Sequence, residues 1–150
     1  MVQGIRFFAQ IEQTSNELSI LDNWRASMSK VVLLVEDDED NRDLVMFVVA
    51  RSKLDVELVI AENGQEALDK SFERKPDLIL MDMQMPVMDG WTAVPILKAD
   101  ERTKDIPIIA FTAQAKTEDK QRAREIGCID YYTKPMDPEE LLALVQKYLK

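Results

Sequence analysis

Histidine is absent from the 150-residue sequence, and cysteine occurs once, as Cys128. Without an imidazole the chain cannot run Ser-His-Asp or Cys-His catalysis, ligate zinc through histidine, or carry a phosphohistidine of its own. A lone cysteine leaves no intrachain disulfide. Glycine is scarce, four in all, and neither a G-x-G-x-x-G run nor a P-loop is present, which argues against nucleotide binding. No apolar run approaches the ~18 residues of a membrane span. Gly4 to Ile11 mixes Arg6 and glutamine into its apolar positions, unlike the ordered regions of a secretory signal. A soluble, cytoplasmic chain without membrane association is expected. Positive charge is also short, 19 Lys and Arg against 28 Asp and Glu, for a net charge of -9. Such a chain repels a polyanionic backbone, so protein partners are expected and nucleic acid is not.

What is present suits one domain, since 46% apolar content fills one core. From Lys30 onward, apolar runs alternate with amphipathic stretches, the pattern of parallel strands joined by crossover helices. Strands are predicted near 31–35, 56–61, 78–82, 107–111 and 129–133, and helices near 39–51, 64–75, 90–100, 117–126 and 137–149. Asn63 with Glu66, and Asp137 followed by Pro138, are helix start signals. Leu141, Leu144, Val145 and Tyr148 share one face of the last helix. Pro95 falls about one turn into the third helix, which is expected to start late or bend. Residues 1–29 stand outside the alternation as an N-terminal extension. Its Ile5, Phe8, Ile11, Leu18, Leu21 and Trp24 are spaced roughly as a helical stripe, interrupted by Thr14-Ser15-Asn16. A tail and a packing helix are both open readings, and a second copy of the chain is one candidate partner.

Four of the predicted strands deliver chemically useful groups at their carboxyl ends, where open α/β folds place ligands. Asp82 ends the run Leu78 to Met81 and can act as a nucleophile toward phosphorus, giving an acyl phosphate. Attack by an anion on an anionic donor calls for a divalent cation. Glu36 and Asp37, after the first strand, supply further oxygen ligands. Oxygen donors without imidazole or thiolate select a hard ion, and magnesium fits best. Asp37 and Asp82 are expected as direct ligands, with Glu36 acting mainly through water. Taken alone, Glu36 to Asp40 also reads as a solvated acidic turn. Thr112 offers a hydroxyl to a phosphate oxygen or to a backbone carbonyl. Lys134 can serve as a point charge on a transferring phosphoryl group, although lysine before proline means little by itself.

In combination, Leu33-Leu-Val-Glu-Asp-Asp38, Pro76-Asp-Leu-Ile-Leu-Met-Asp82, Met85-Pro86, Asp89-Gly90, Ile106 to Ala113 and Tyr132-Thr-Lys-Pro135 resemble the receiver domain of two-component response regulators. The resemblance covers residues 30–150. It implies a flavodoxin-like (βα)5 doubly wound parallel sheet of order 2-1-3-4-5. It also implies a phosphoacceptor at Asp82, magnesium on Asp37, Asp82 and the Gln84 backbone carbonyl, and a phosphate-pairing Lys134. Thr112 and Tyr131 become a coupled switch, Gln84 and Gln114 become tuners of dephosphorylation, and the Lys134-Pro135 peptide is expected to be cis. The upstream partner would be a histidine kinase or histidine phosphotransfer protein, and the downstream partner a protein target. The chain most resembles stand-alone regulators, with no output domain expected after the fifth helix. It would catalyse only its own phosphoryl transfer and autodephosphorylation. A phosphate-independent interaction module is one alternative. A haloacid-dehalogenase-like phosphatase is another, but it wants a second aspartate where Gln84 stands.

Overall fold

The computed structural model describes Ile20 and residues 29–114 and 116–149. The stripe proposed for the extension lies wholly outside these residues; Ile20 itself is helical and exposed. From residue 30 to residue 148, five strands and five helices alternate among the described residues: β1 Lys30–Val35, α1 Glu39–Arg51, β2 Val56–Ala61, α2 Gly64–Arg74, β3 Leu78–Asp82, α3 Gly90–Ala99, β4 Ile108–Thr112, α4 Thr117–Ile126, β5 Asp130–Thr133 and α5 Pro138–Tyr148. All pairings are parallel and the sheet order is β2-β1-β3-β4-β5. This is the doubly wound order expected from the sequence, with its switch point between β1 and β3.

Successive strand residues point to opposite faces, so the central strands must be apolar at every position. Leu33, Val35, Ile79, Met81 and Ile108 meet Ala67 and Leu68 of α2, Ala93, Val94 and Leu97 of α3, and Ala123 of α4. Val32, Leu34, Leu78, Leu80 and Ile109 meet Val48 of α1 and Leu141, Leu144 and Val145 of α5. The residues of β2 before Ala61 are only half-buried, as an edge strand requires.

The helix starts follow the sequence signals. Asn63 accepts from the Glu66 N–H at 2.9 Å, while the Glu66 carboxylate reaches back to the Glu62 N–H at 2.8 Å. Asp137 accepts from the N–H groups of Glu139 and Glu140, with Pro138 opening α5. Of the two expectations for α3, the late start is corrected. It begins at Gly90, capped by Asp89 on the Thr92 N–H, and runs through Pro95. Pro95 is tolerated because it lies on the exposed side of the helix, where water can take the place of the missing N–H donor.

Candidate functional site

Strand register converts residues far apart in sequence into one site. Val35 pairs with Met81, so Glu36 and Asp37 emerge beside Asp82. Asp82 pairs with Phe111 and Thr112 with Thr133, which brings Lys134 to the same edge. Bonds beyond the strand ends hold the edge in place: Glu36 N–H to the Ala61 carbonyl at 2.9 Å, Met83 N–H to Phe111 at 2.9 Å, and Lys134 N–H to Thr112 at 2.7 Å.

The Lys134 ammonium donates to Asp82 Oδ2 at 2.9 Å and to Glu36 Oε1. Two buried carboxylates thus share one cation, and an ammonium half-way out of water is held charged, above its ordinary range, by both partners. Burial raises Glu36 to about 7, with the neighbouring Asp82 pushing the same way and Lys134 opposing. Its underside helps explain this. A cavity of about 40 Å³ borders Glu36, Asp82 and Lys134 and is otherwise largely lined by apolar side chains such as Leu44, Phe111 and Met136, leaving little to solvate an anion.

Ligand oxygens of Glu36, Asp37 and Asp82 lie within 4.8 Å of one another. Glu36 Oε2 is buried and has no hydrogen-bond partner among the described residues. An all-oxygen donor set with an unsatisfied buried acceptor fits a hard divalent cation, whose charge would compensate carboxylates that one lysine serves alone. The Gln84 N–H donates to Asp82 Oδ1 at 3.0 Å, which fixes the carboxylate's orientation. The Lys134-Pro135 peptide is cis, as expected.

Thr112, Gln114 and Tyr131 form an adjoining group. The Gln114 N–H donates to Thr112 Oγ1 at 3.3 Å, and the buried Tyr131 donates its hydroxyl to the Gln114 carbonyl at 2.8 Å. Burial holds the Tyr131 hydroxyl above its ordinary range. The side chains of Gln84 and Gln114 are exposed at the rim.

One participant escaped the sequence reading. Arg42, in the first turn of α1, donates to the carbonyls of Glu36 at 3.3 Å and Asp37 at 3.2 Å and pairs with Glu62 at 3.2 Å. It ties the acidic turn to the helix that follows. The available signal was an arginine on the first helical turn, whose side chain leans back toward the helix N-terminus.

Fold and site together define a flavodoxin-like domain with three carboxylates and a lysine at the topological switch point. The chain belongs to the response regulator receiver domain family, whose model matches residues 32–146. It is 39% identical over 122 residues to the polar-differentiation response regulator DivK of Brucella anthropi, covering 81% of this chain and 98% of that one. Among solved structures, the chemotaxis response regulator CheY4 of Vibrio cholerae superposes with a TM-score of 0.73 at 32% identity, over 81% of this chain and 100% of the other. The receiver domain of a sensor histidine kinase from Pseudomonas aeruginosa PAO1, solved with a magnesium ion in its active-site cleft, gives 0.72 at 30% identity, over 81% and 98%. The protein is therefore a receiver domain homologous to stand-alone response regulators, of a family phosphorylated on aspartate by histidine kinases or phosphotransfer proteins. Among the described residues, no helix is long and apolar enough to cross a membrane.

Proposed function

We propose that Asp82 is the phosphoacceptor of a switch domain spanning residues 30–150, with residues 1–29 as an extension dispensable for phosphorylation. The observation that carries this reading is the shared Lys134 ammonium, bonded to both Asp82 and Glu36 at the edge where Asp37 completes the acidic group. Asp37 and Asp82 would hold magnesium, with the Gln84 carbonyl as a further ligand and Glu36 acting through water. The ion would neutralise the carboxylates and draw charge from the transferring phosphoryl oxygens.

The donor's phosphohistidine loses its P–N bond, with the electron pair remaining on nitrogen, while an Asp82 oxygen forms the new P–O bond. Lys134 exchanges a carboxylate contact for the phosphoryl oxygens, and the Thr112 hydroxyl donates to another. Moving Thr112 disturbs its contact with Gln114, to which Tyr131 is tied, so the change passes to the surface of α4, β5 and α5 that a protein target reads. The chain catalyses no reaction beyond its own phosphorylation and dephosphorylation, and a cytoplasmic setting goes with its donors.

With acetyl phosphate and magnesium, intact-mass analysis should show one phosphoryl group on the parent and none on Asp82→Asn. Equal labelling of the Asn variant would overturn the assignment. Asp37→Asn should weaken magnesium binding while Asp82 is intact.

A further inference from the structure

The extension joins the domain beside the turn between α1 and β2. The Ser29 hydroxyl donates to Asp55 Oδ1 at 3.0 Å, and the Lys30 N–H donates to the Asp55 carbonyl at 3.2 Å. Leu54, immediately before that anchor, lines a recess of about 570 Å³ together with Ala143, Gln146, Lys147 and Leu149 from the end of α5. Leu54 and Leu149 are half-buried and Ala143 is exposed, so apolar surface faces water here. The rim is basic, because Lys147 lines the recess and Lys53 is exposed beside Leu54. Asp55 precedes β2, whereas Asp82 ends β3, so the recess lies at the opposite end of the sheet from the acidic group.

The chain just upstream of Ser29 has the chemistry to fill it. Residues 7–24 contain Glu12, Glu17 and Asp22 but neither lysine nor arginine, and Leu18, Leu21 and Trp24 recur at every third position. Ile20 is helical. In a helix through Ile20, at ~100° per residue, Leu18, Leu21 and Trp24 share an arc of ~120° centred on Leu21. Ile20 then falls ~100° to one side of Leu21, in keeping with its 66% exposure, and Asp22 falls to the other.

We propose that residues 18–24 of the extension dock in this recess of their own chain, with Leu21 and Trp24 covering Leu54, Ala143 and Leu149 and with Asp22 at the basic rim. Reach permits it, since the five Cα steps from Ser29 back to Trp24 extend up to ~18 Å and Leu54 is the residue next to the partner of Ser29. An indole buries roughly 150–250 Å², and a short tether holds it at an effective concentration on the order of millimolar. A contact too weak to join two molecules therefore forms within one. The docked segment ties α5, one wall of the surface proposed to change on phosphorylation, to the turn before β2. It uses no residue of the strand-end site, so it stands or falls apart from the Asp82 reading.

The full-length chain carries two tryptophans, and Trp91→Phe leaves Trp24 as the one emitter. Ala143→Glu and Lys147→Glu, both at exposed positions of α5, each set an anion in the recess against the acidic segment, and each is read separately so that either carries the test alone. In the Trp91→Phe protein, Trp24 emission should lie to the blue of its value in urea, and acrylamide should quench it roughly threefold less than in urea. Either recess substitution should return both readings toward the urea values, and Ala143→Ser should leave them unchanged. Trp24→Ala should raise the unfolding equilibrium constant roughly tenfold in the parent and less than about twofold in Ala143→Glu. Emission at the urea value in the Trp91→Phe protein overturns the proposal, as does a shielded Trp24 that neither recess substitution disturbs. A blue shift that fades on dilution, with a mass of two chains by light scattering, assigns the contact to a second copy and overturns it as well.

Discussion

Glu36 should make the metal-free protein lose stability as pH rises through neutrality, and Glu36→Gln should abolish that loss. The carboxyl ordinarily titrates at 4.5 and is raised to about 7 in the fold, chiefly by burial. A raised carboxyl contributes stability that is fully present below the unfolded value and disappears as pH climbs through the folded one. At about 1.36 kcal/mol per pH unit, the full effect is roughly 3 kcal/mol, most of it falling between pH 5 and pH 8. The amide introduced by the substitution would still offer an acceptor to Lys134 but could not ionise. Urea unfolding in EDTA at pH 5, 6, 7 and 8 measures both proteins, and taking their difference cancels every titration they share. The variant should gain on the parent mainly between pH 5 and pH 7, with little further change by pH 8. Magnesium at about ten times its Kd should restore about 1.4 kcal/mol to the parent at pH 8. If the two proteins run parallel from pH 5 to pH 8, Glu36 is not held in its neutral form and the account of its burial is wrong.

Arg42→Ala should weaken magnesium binding severalfold by freeing the acidic turn, although Arg42 is not a ligand; isothermal titration gives the affinity, and an unchanged value shows that the turn holds itself. Cys128 is buried and its thiol is pushed up to about 12 from 9.0, a rise that nearby Lys98 offsets only in part. Its reaction with Ellman's reagent at pH 8 should therefore be at least roughly 10³-fold slower in the native protein than in urea, and the stability linked to it should be lost only as pH rises above 9 toward 12. Rapid native labelling would contradict this. Gln84→Ala or Gln114→Ala should change the autodephosphorylation rate severalfold with magnesium affinity nearly unchanged, because their side chains stand at the rim where water approaches; decay rates equal to the parent's would place control of water elsewhere.

The sheet was legible because its central strands are short, apolar at every position and bounded by turn residues, and because α2 and α5 carry clear start signals at Asn63 and Asp137. Asp82 was legible for the same reason, as the single charge ending Leu78 to Met81. The pairing of Lys134 with Glu36 was not, since the two lie 98 residues apart and only the register of β1, β3, β4 and β5 brings them together. The start of α3 was placed too late because proline was weighed by its place along the helix and not by the face it occupies. Val87, at φ 70° in the turn before α3, shows the opposite limit. Its local preference argues against that backbone, and the turn is set by Gly64 and Gly90, where a Cβ would stand 2.6 Å from the Met88 carbonyl and 2.7 Å from the Asp82 carbonyl.

The ion pairs at the site also bound how complete the switch can be. Moving a population from 1:99 to 99:1 takes roughly 5.5 kcal/mol of differential binding, and a hydrogen bond to a charged group contributes about 1.5 to 3. Thr112 and Lys134 together would just reach that figure if both bonds were new. Lys134 is already bonded to Asp82 and Glu36, so its contact with a phosphoryl oxygen largely replaces an existing one. In the proposed switch Thr112 would be left to supply most of the bias, a factor of about ten to a hundred or more and not ten thousand. The remainder would then have to come from a target protein whose preference for the switched surface adds to the same equilibrium. Because that coupling is reciprocal, a target that favours the switched form would, on the proposed role of Asp82, shift the phosphorylation equilibrium toward the phosphorylated form by the same factor.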